Sequence, residues 1–126
     1  NEYYEFKNVK KFYEDILETF KNEKVQIFFK RKRDTKSIDK RYLNYLNTLK
    51  NNKNIFEIDC NINVFNLFNN KFAVKTISLP FTGPAYISQY FNKKSCFYDP
   101  TGQLKELYGN SIKVFDKKED LKKFII

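Results

Sequence analysis

With 126 residues, 41% of them hydrophobic, and 23 aromatics (14 Phe plus 9 Tyr), the chain is large and apolar enough for one packed domain and is not a disordered segment. Its formal net charge is +9, from 24 Lys+Arg against 15 Asp+Glu, which suits nucleic acid, an anionic membrane surface or phosphorylated ligands. It has no His and only two Cys, which argues against a zinc site and excludes imidazole-based nucleophile–base pairs within this segment.

The charge has a plain explanation beside the functional one. The three Arg among 24 basic residues leave 21 Lys, and these are scattered over every predicted helix as solvated faces are. A dedicated nucleic-acid surface is therefore not expected. No apolar run approaches the roughly 18 residues of a membrane span. The sequence starts at Asn1, has no Met and shows no signal peptide, so a domain cut from a longer chain is expected. Cys60 and Cys96 fall in or beside predicted strands and read as small core residues rather than a disulfide.

Taken in order, Phe6, Val9, Phe12, Tyr13, Ile16, Leu17 and Phe20 recur at helical spacing and predict a helix over Glu5–Asn22. Lys24–Phe29 reads as a strand that ends in the charge run Lys30–Arg31–Lys32–Arg33. Asp34, Thr35 or Ser37 can cap the next helix, which carries Ile38, Tyr42, Tyr45, Leu46 and Leu49. A short strand follows at Ile55–Asp59, then a brief helix with Val64, Phe65, Leu67 and Phe68, capped by Asn61 or Asn63. Ala73–Leu79 is an apolar, partly β-branched strand. Pro80 cannot donate to a ladder and should end it, Phe81–Thr82–Gly83 bends, and Pro84 suits a first helical turn running to about Phe91.

Ser95–Tyr98 is a fourth strand, stopped by the turn residues Asp99–Pro100–Thr101–Gly102. Gln103–Tyr108 predicts a helical turn and Ser111–Phe115 a fifth strand. Asp116 and Glu119 have capping-box spacing before a last helix with Leu121, Phe124 and Ile125. Strands alternating with helices predict an α/β fold: a Rossmann-like parallel sheet of five strands in the order 2-1-3-4-5, with helices on both faces. Doubly wound domains usually open on a central strand, whereas this chain opens on a helix, so a first strand is expected to be missing.

That topology brings three strand exits to one edge, where such sheets bind ligands. The first exit holds Lys30, Arg31 and Arg33, which supply positive charge. The second holds Pro80, Phe81, Thr82, Gly83 and Ala85, where a hydroxyl and the N–H groups of a helix start suit phosphate. The third holds Tyr98, Asp99, Thr101 and Gly102. There Tyr98 can pack against a base, and Asp99 can accept from a ribose hydroxyl or simply cap its turn. Each exit also has a structural reading on its own: a solvated strand end, a core-anchored bend, an ordinary turn.

At these residues the sequence resembles a bacterial family of surface-polysaccharide biosynthesis proteins with a Pro-Phe-Thr-Ser signature, in the carboxyl-terminal half of a GT-B-type glycosyltransferase. The family pattern, a basic strand exit, Pro-Phe-Thr-Ser plus a small residue, and Tyr-Asp-Pro-x-Gly, is matched by Lys30–Arg33, Pro80–Ala85 and Tyr98–Gly102. Two positions depart from it: Gly83 replaces the signature serine and Arg31 the usual proline. The layout is also similar to that of bacterial sialyltransferases whose carboxyl-terminal half grips a CMP-sugar.

The resemblance implies a single nucleotide-sugar-binding domain over residues 1–126 and a nucleotide-sugar substrate with no cofactor and no metal. It implies a glycan acceptor and a general base brought by a missing amino-terminal half. The place it implies is cytoplasmic, with attachment to the inner face of the cell membrane as an option. Two rivals remain. One is a non-catalytic α/β binding module of flavodoxin- or receiver-like fold, poor as a receiver because only Asp59 and Asp99 stand at strand ends. The other is a nucleic-acid-binding domain, which would bind with steep salt dependence.

Overall fold

The computed structural model describes residues 5–30, 40–59, 61–69, 74–80, 82–104 and 111–126. In chain order the elements are α1 (Phe6–Phe20), β1 (Ile27–Lys30), α2 (Lys40–Leu49), β2 (Ile55–Ile58), α3 (Val64–Phe68), β3 (Lys75–Ser78), α4 (Gly83–Tyr90), β4 (Lys94–Tyr98), β5 (Val114–Phe115) and α5 (Lys118–Ile125). The alternation of strand and helix is the expected α/β pattern.

The strands differ from expectation in how they join. β1 pairs in parallel with β2, from Ile27 opposite Ile55 to Lys30 opposite Ile58. A second parallel sheet has the order β3-β4-β5. Among the described residues the strands form sheets of two and three rather than one of five, and no ladder links β1 to β3. Side chains join them instead: Ile27 of β1, Ile77 of β3 and Leu79 just after it pack against one apolar cluster.

That cluster is the main core. Phe12, Ile16 and Phe20 of α1 meet Cys96 and Tyr98 of β4 and Leu121 and Ile125 of α5. A neighbouring cluster packs Phe29 of β1 against Leu46 and Leu49 of α2, with Tyr13 and Leu17 of α1 alongside. The other face of β4 is sealed by α4, where Ala85, Phe97 and Ile112 are buried together. Cys96 and Tyr98 thus face one helical layer and Phe97 the other, as strand alternation requires.

α1 forms because its apolar positions recur at helical spacing, with Val9, Phe12, Ile16 and Phe20 all buried. One charged residue shares that face. Asp15 is buried, and its Oδ2 accepts from the Tyr98 hydroxyl at 2.7 Å and from Lys11 Nζ at 2.6 Å. A buried carboxylate without partners would cost several kcal/mol; here two donors offset that cost.

α3 begins as expected at Asn63, whose side chain accepts from the Phe65 N–H at 2.8 Å. The capping box expected for α5 is absent. The helix starts after Lys117, with no side-chain cap, so Asp116 lies one residue too early to serve. Glu119 and Asp120 in the first turn and Lys122 and Lys123 in the last suit the helix dipole instead. The fifth strand is shorter than expected, at Val114–Phe115. The proposed cap residues Asp34, Thr35 and Ser37, Cys60, and Lys105–Tyr108 of the predicted helical turn lie outside the described residues.

On the outer face of β1–β2, Phe28 and Phe56 are 55% and 43% exposed and stack with centroids 5.3 Å apart. Such a cross-strand aromatic pair supports the register of a short two-stranded sheet.

Three groups resist losing a proton, Cys96 and Tyr98 buried and Tyr45 partly buried. Burial pushes the Cys96 thiol up to about 12, against a smaller opposing pull from Lys94. Burial, helped by Glu14, pushes Tyr45 up to about 12. Burial and then the hydrogen bond to Asp15 raise Tyr98 further. The unfolded chain releases these protons at lower pH, near roughly 8.5 for Cys and 10 for Tyr. Their stabilising effect is therefore complete below those values and is lost as pH rises toward 12. Urea midpoints should fall steadily above about pH 9. In peptide-mapped alkylation, Cys96, a free and buried thiol, should stay unlabelled until denaturant is added.

Candidate functional site

The register of β3 and β4 decides what meets at the carboxyl edge. Ser78 stands opposite Phe97, so Leu79–Pro80 leaves β3 beside the end of β4 at Tyr98, where Asp99 follows. The second and third predicted exits are thereby brought together. Pro80 is buried at the corner. Phe81 lies outside the described residues, as do Arg31 and Arg33.

Thr82 is the residue before α4, but its hydroxyl turns back and donates to the Leu79 carbonyl at 2.7 Å. No side chain caps the helix, and a proline occupies its first turn. Gly83 is exposed, and a Cβ built there would meet nothing within 4 Å. The start of α4 is thus open at the surface while its body is fixed. Ala85 is fully buried, and its carbonyl accepts from Ser95 Oγ at 3.1 Å. Buried Ser88 pairs with Thr76 of β3, hydroxyl to hydroxyl, at 2.9 Å.

The third exit has a different character from that expected. The Tyr98 ring is only 2% exposed, lies 6.2 Å from the Phe12 ring and spends its hydroxyl on Asp15. It faces the core under α1, because it alternates with the outward-packed Phe97, and no open face is left for a base. Asp99 is fully buried and takes the turn-capping role. Its Oδ1 accepts from the Thr101 N–H at 2.9 Å and the Thr101 hydroxyl at 2.6 Å, and its Oδ2 from the Leu104 N–H at 2.9 Å. Thr101 Oγ1 in turn accepts from the Gln103 N–H at 3.1 Å. Gly102 holds φ +67°, the left-handed backbone that closes such a turn.

Lys30 ends β1 and lines a shallow cleft of about 370 Å³ with Ile62, Asn63, Val64 and Phe65 at the start of α3 and Ile87 of α4. Lys30 therefore shares a cleft with α4 at Ile87, one turn in from the helix start. A second cleft of about 370 Å³ lies at the amino ends of β1 and β2, lined by Glu18, Lys21, Glu23 and Lys53 among others. It sits at the opposite sheet edge, has mixed charge and contains no predicted site residue.

Sequence reasoning missed the Lys11–Asp15–Tyr98 network and the hydroxyl contacts that clamp α4. Asp15 carried a usable signal, a lone carboxylate on the apolar stripe of α1. The hydroxyls carried none, since Thr76, Ser88 and Ser95 read equally well as polar surface. Among the described residues no group of three or more His, Cys, Asp or Glu gathers as metal ligands do. No helix among them is long and apolar enough to cross a membrane.

The described chain is an α/β protein whose braced turn and open helix start share the carboxyl edge of a parallel sheet. A family model described as polysaccharide biosynthesis PFTS motif protein matches residues 1–125, and the chain belongs to that family. No curated protein and no solved structure matches it.

The brace makes a direct prediction. Asp99→Ala strands donors that now reach a charged acceptor inside the fold, and should cost about 1.5–3 kcal/mol in urea unfolding. Gly102→Ala forces a Cβ into left-handed backbone and should cost about 1–2 kcal/mol in the same assay.

Proposed function

We propose that this chain is the donor-binding half of a glycosyltransferase of bacterial surface polysaccharide biosynthesis. Its substrate is a nucleotide sugar, with a CMP-linked sugar among the candidates. The acceptor and the general base come from another part of the longer enzyme. Membership of a polysaccharide biosynthesis family supports the pathway class. One observation carries the donor site: the uncapped, solvent-open start of α4 at the carboxyl edge, beside the turn braced by Asp99.

The chemistry follows from what that start offers. The first N–H groups of a helix have no intrahelical acceptor, and the helix dipole adds partial positive charge there. At α4 these are the N–H groups of Gly83, Ala85 and Tyr86, since Pro84 has none. They suit the phosphate of a nucleotide, and Lys30, Arg31 and Arg33 add charge from the first exit. As a sugar leaves its nucleotide, negative charge builds on that phosphate, and fixed donors stabilise it without a metal.

The Thr82 hydroxyl already donates to Leu79, so it serves as an acceptor or shapes the bend rather than donating to phosphate. Pro80 and Ala85 fix the bend. Tyr98, Asp99, Thr101 and Gly102 build the neighbouring wall of the site. The family motif reads Pro80–Phe81–Thr82–Gly83 in this chain, with glycine at the fourth place.

The test is titration of the full-length protein with CMP, CDP, UDP and GDP while amide shifts are followed. Shifts should centre on residues 82–86 and spare the cleft at the amino edge. Silence of these amides at millimolar nucleotide would leave a non-catalytic α/β module as the better reading. Lys30→Ala should weaken binding about tenfold to a hundredfold, the worth of a charge-assisted bond. Gly83→Ser adds a hydroxyl in open space and should tighten binding about threefold to tenfold, the worth of one neutral bond.

A further inference from the structure

The two sides of the sheets are not covered alike. α1, α2 and α5 pack on one side, and each carries charged residues. α4 packs on the other, against Phe97, and α3 lies beside it. Neither α3 nor α4 holds an acidic or basic residue. In a chain 31% charged, residues 60–70 and 76–92 hold none, so both helices fall within uncharged runs.

The same side carries the exposed apolar surface. Among the described residues the exposed large apolar side chains are Phe28, Phe56, Ile62, Phe65, Tyr86 and Tyr90, apart from Ile126 after α5. They form a connected track. Phe28 stacks on Phe56 and shares its strand face with Lys30, two residues on. Lys30 lines the 370 Å³ cleft with Ile62, Phe65 and Ile87. Phe65 meets Phe91 edge-on at 6.2 Å, and Phe91 meets Tyr90 at 5.1 Å. Tyr86 stands one helical turn from Tyr90, nearer Gly83. A connected track of this kind marks a binding surface, whereas scattered single residues would not.

Its chemistry selects the ligand. Asn61, Asn63, Asn66 and Asn69 stand exposed along the α3 segment, among these rings. Neutral amides offer both donors and acceptors, which match sugar hydroxyls. The faces of aromatic rings are negative and attract the C–H face of a pyranose. Nucleic acid and anionic lipid need Lys or Arg along their path, and protein interfaces are enriched in Arg; α3 and α4 supply neither. The chain belongs to a polysaccharide biosynthesis family, a setting that supplies glycan. We propose that this side of the protein binds a neutral stretch of glycan chain along Phe65, Tyr90 and Tyr86, with the adjoining cleft seating a sugar unit. The cleft falls in the lower part of the roughly 300–1,000 Å³ that small-ligand sites occupy. The track ends beside the start of α4, so the bound stretch trails behind the chain end that reacts. Only that direction rests on the donor-site reading; the track itself does not.

The experiment is calorimetric and NMR titration of the full-length protein with maltohexaose, cellohexaose and chitohexaose. Salt is held at about 0.5 M to screen the net charge. At least one hexaose should bind with a millimolar or tighter Kd and shift the amides of residues 62–66 and 86–91. Phe65→Ala and Tyr90→Ala, both at exposed side chains, should each weaken binding about threefold to tenfold. Tyr90→Trp keeps a ring there and should retain it. No binding of any hexaose at about 10 mM, or binding that both alanine variants leave unchanged, overturns the proposal. So does a dimer in sedimentation velocity that the same variants dissociate, because the track then belongs to a second copy. Nucleotide titration without hexaose reads residues 82–86 separately, so a failed glycan track and a failed donor site are told apart.

Discussion

The parallel pairing of β3 with β4 is the constraint on which the candidate edge depends. Set by Ser78 opposite Phe97, it releases two chain corners at one level of the sheet. One becomes a helix start and the other a turn. Strand alternation then divides β4 between two layers, with Cys96 and Tyr98 under α1 and α5, and Phe97 under α4. A slip of one residue would exchange these faces and drive the Tyr98 hydroxyl away from Asp15. The polar network and the candidate edge are therefore consequences of the same register.

This coupling explains why residues close in sequence differ so much in what they can do. Tyr98 and Asp99 sit beside the open corner, but both are buried with their polar atoms engaged. Their role is to make the corner rigid. Thr82 and Gly83, by contrast, contribute few side-chain contacts, and the hydroxyl clamps of α4 lie further along at Ser88 and Ala85. A rigid body with an open end is what binding through backbone N–H groups requires, because donors held in place need no reordering when a ligand arrives.

Much of this was legible in the sequence, and the parts that were not share a physical cause. The periodicity of α1, the Asn63 cap and the Asp99–Gly102 turn are local features, and local chemistry fixes them; β3 ends at Ser78, just short of the expected Leu79. The join between β1 and β3 is not local: nothing in Ile27 or Ile77 says whether their strands share hydrogen bonds or only a core. Asp116–Glu119 had capping spacing, but the actual start at Lys117 is a matter of one residue. The register of β3 and β4 sets Thr82, Gly83 and Asp99 at the same sheet edge, which strand order along the chain had suggested. The sequence offered Tyr98 to a ligand because an aromatic at a strand end looks the same whether it points inward or outward.

The start of α4 is where the chain forgoes available stability. A serine, threonine, asparagine or aspartate cap is worth about 1 kcal/mol, and Thr82 is chemically able to supply one. Its hydroxyl goes to Leu79 instead, and the helix opens uncapped on Gly83 and Pro84. No steric demand requires glycine at 83, since a Cβ there would meet open space. The starts of α1 and α5 lack a side-chain cap too, but at α4 the residue before the helix is a threonine whose hydroxyl is engaged elsewhere, while Asp99 a strand away is braced by three donors. Departures of this kind from locally consistent chemistry concentrate at functional sites. A capping hydroxyl would occupy the same N–H groups that an anion needs, so the open cap and an anion-binding role require the same geometry.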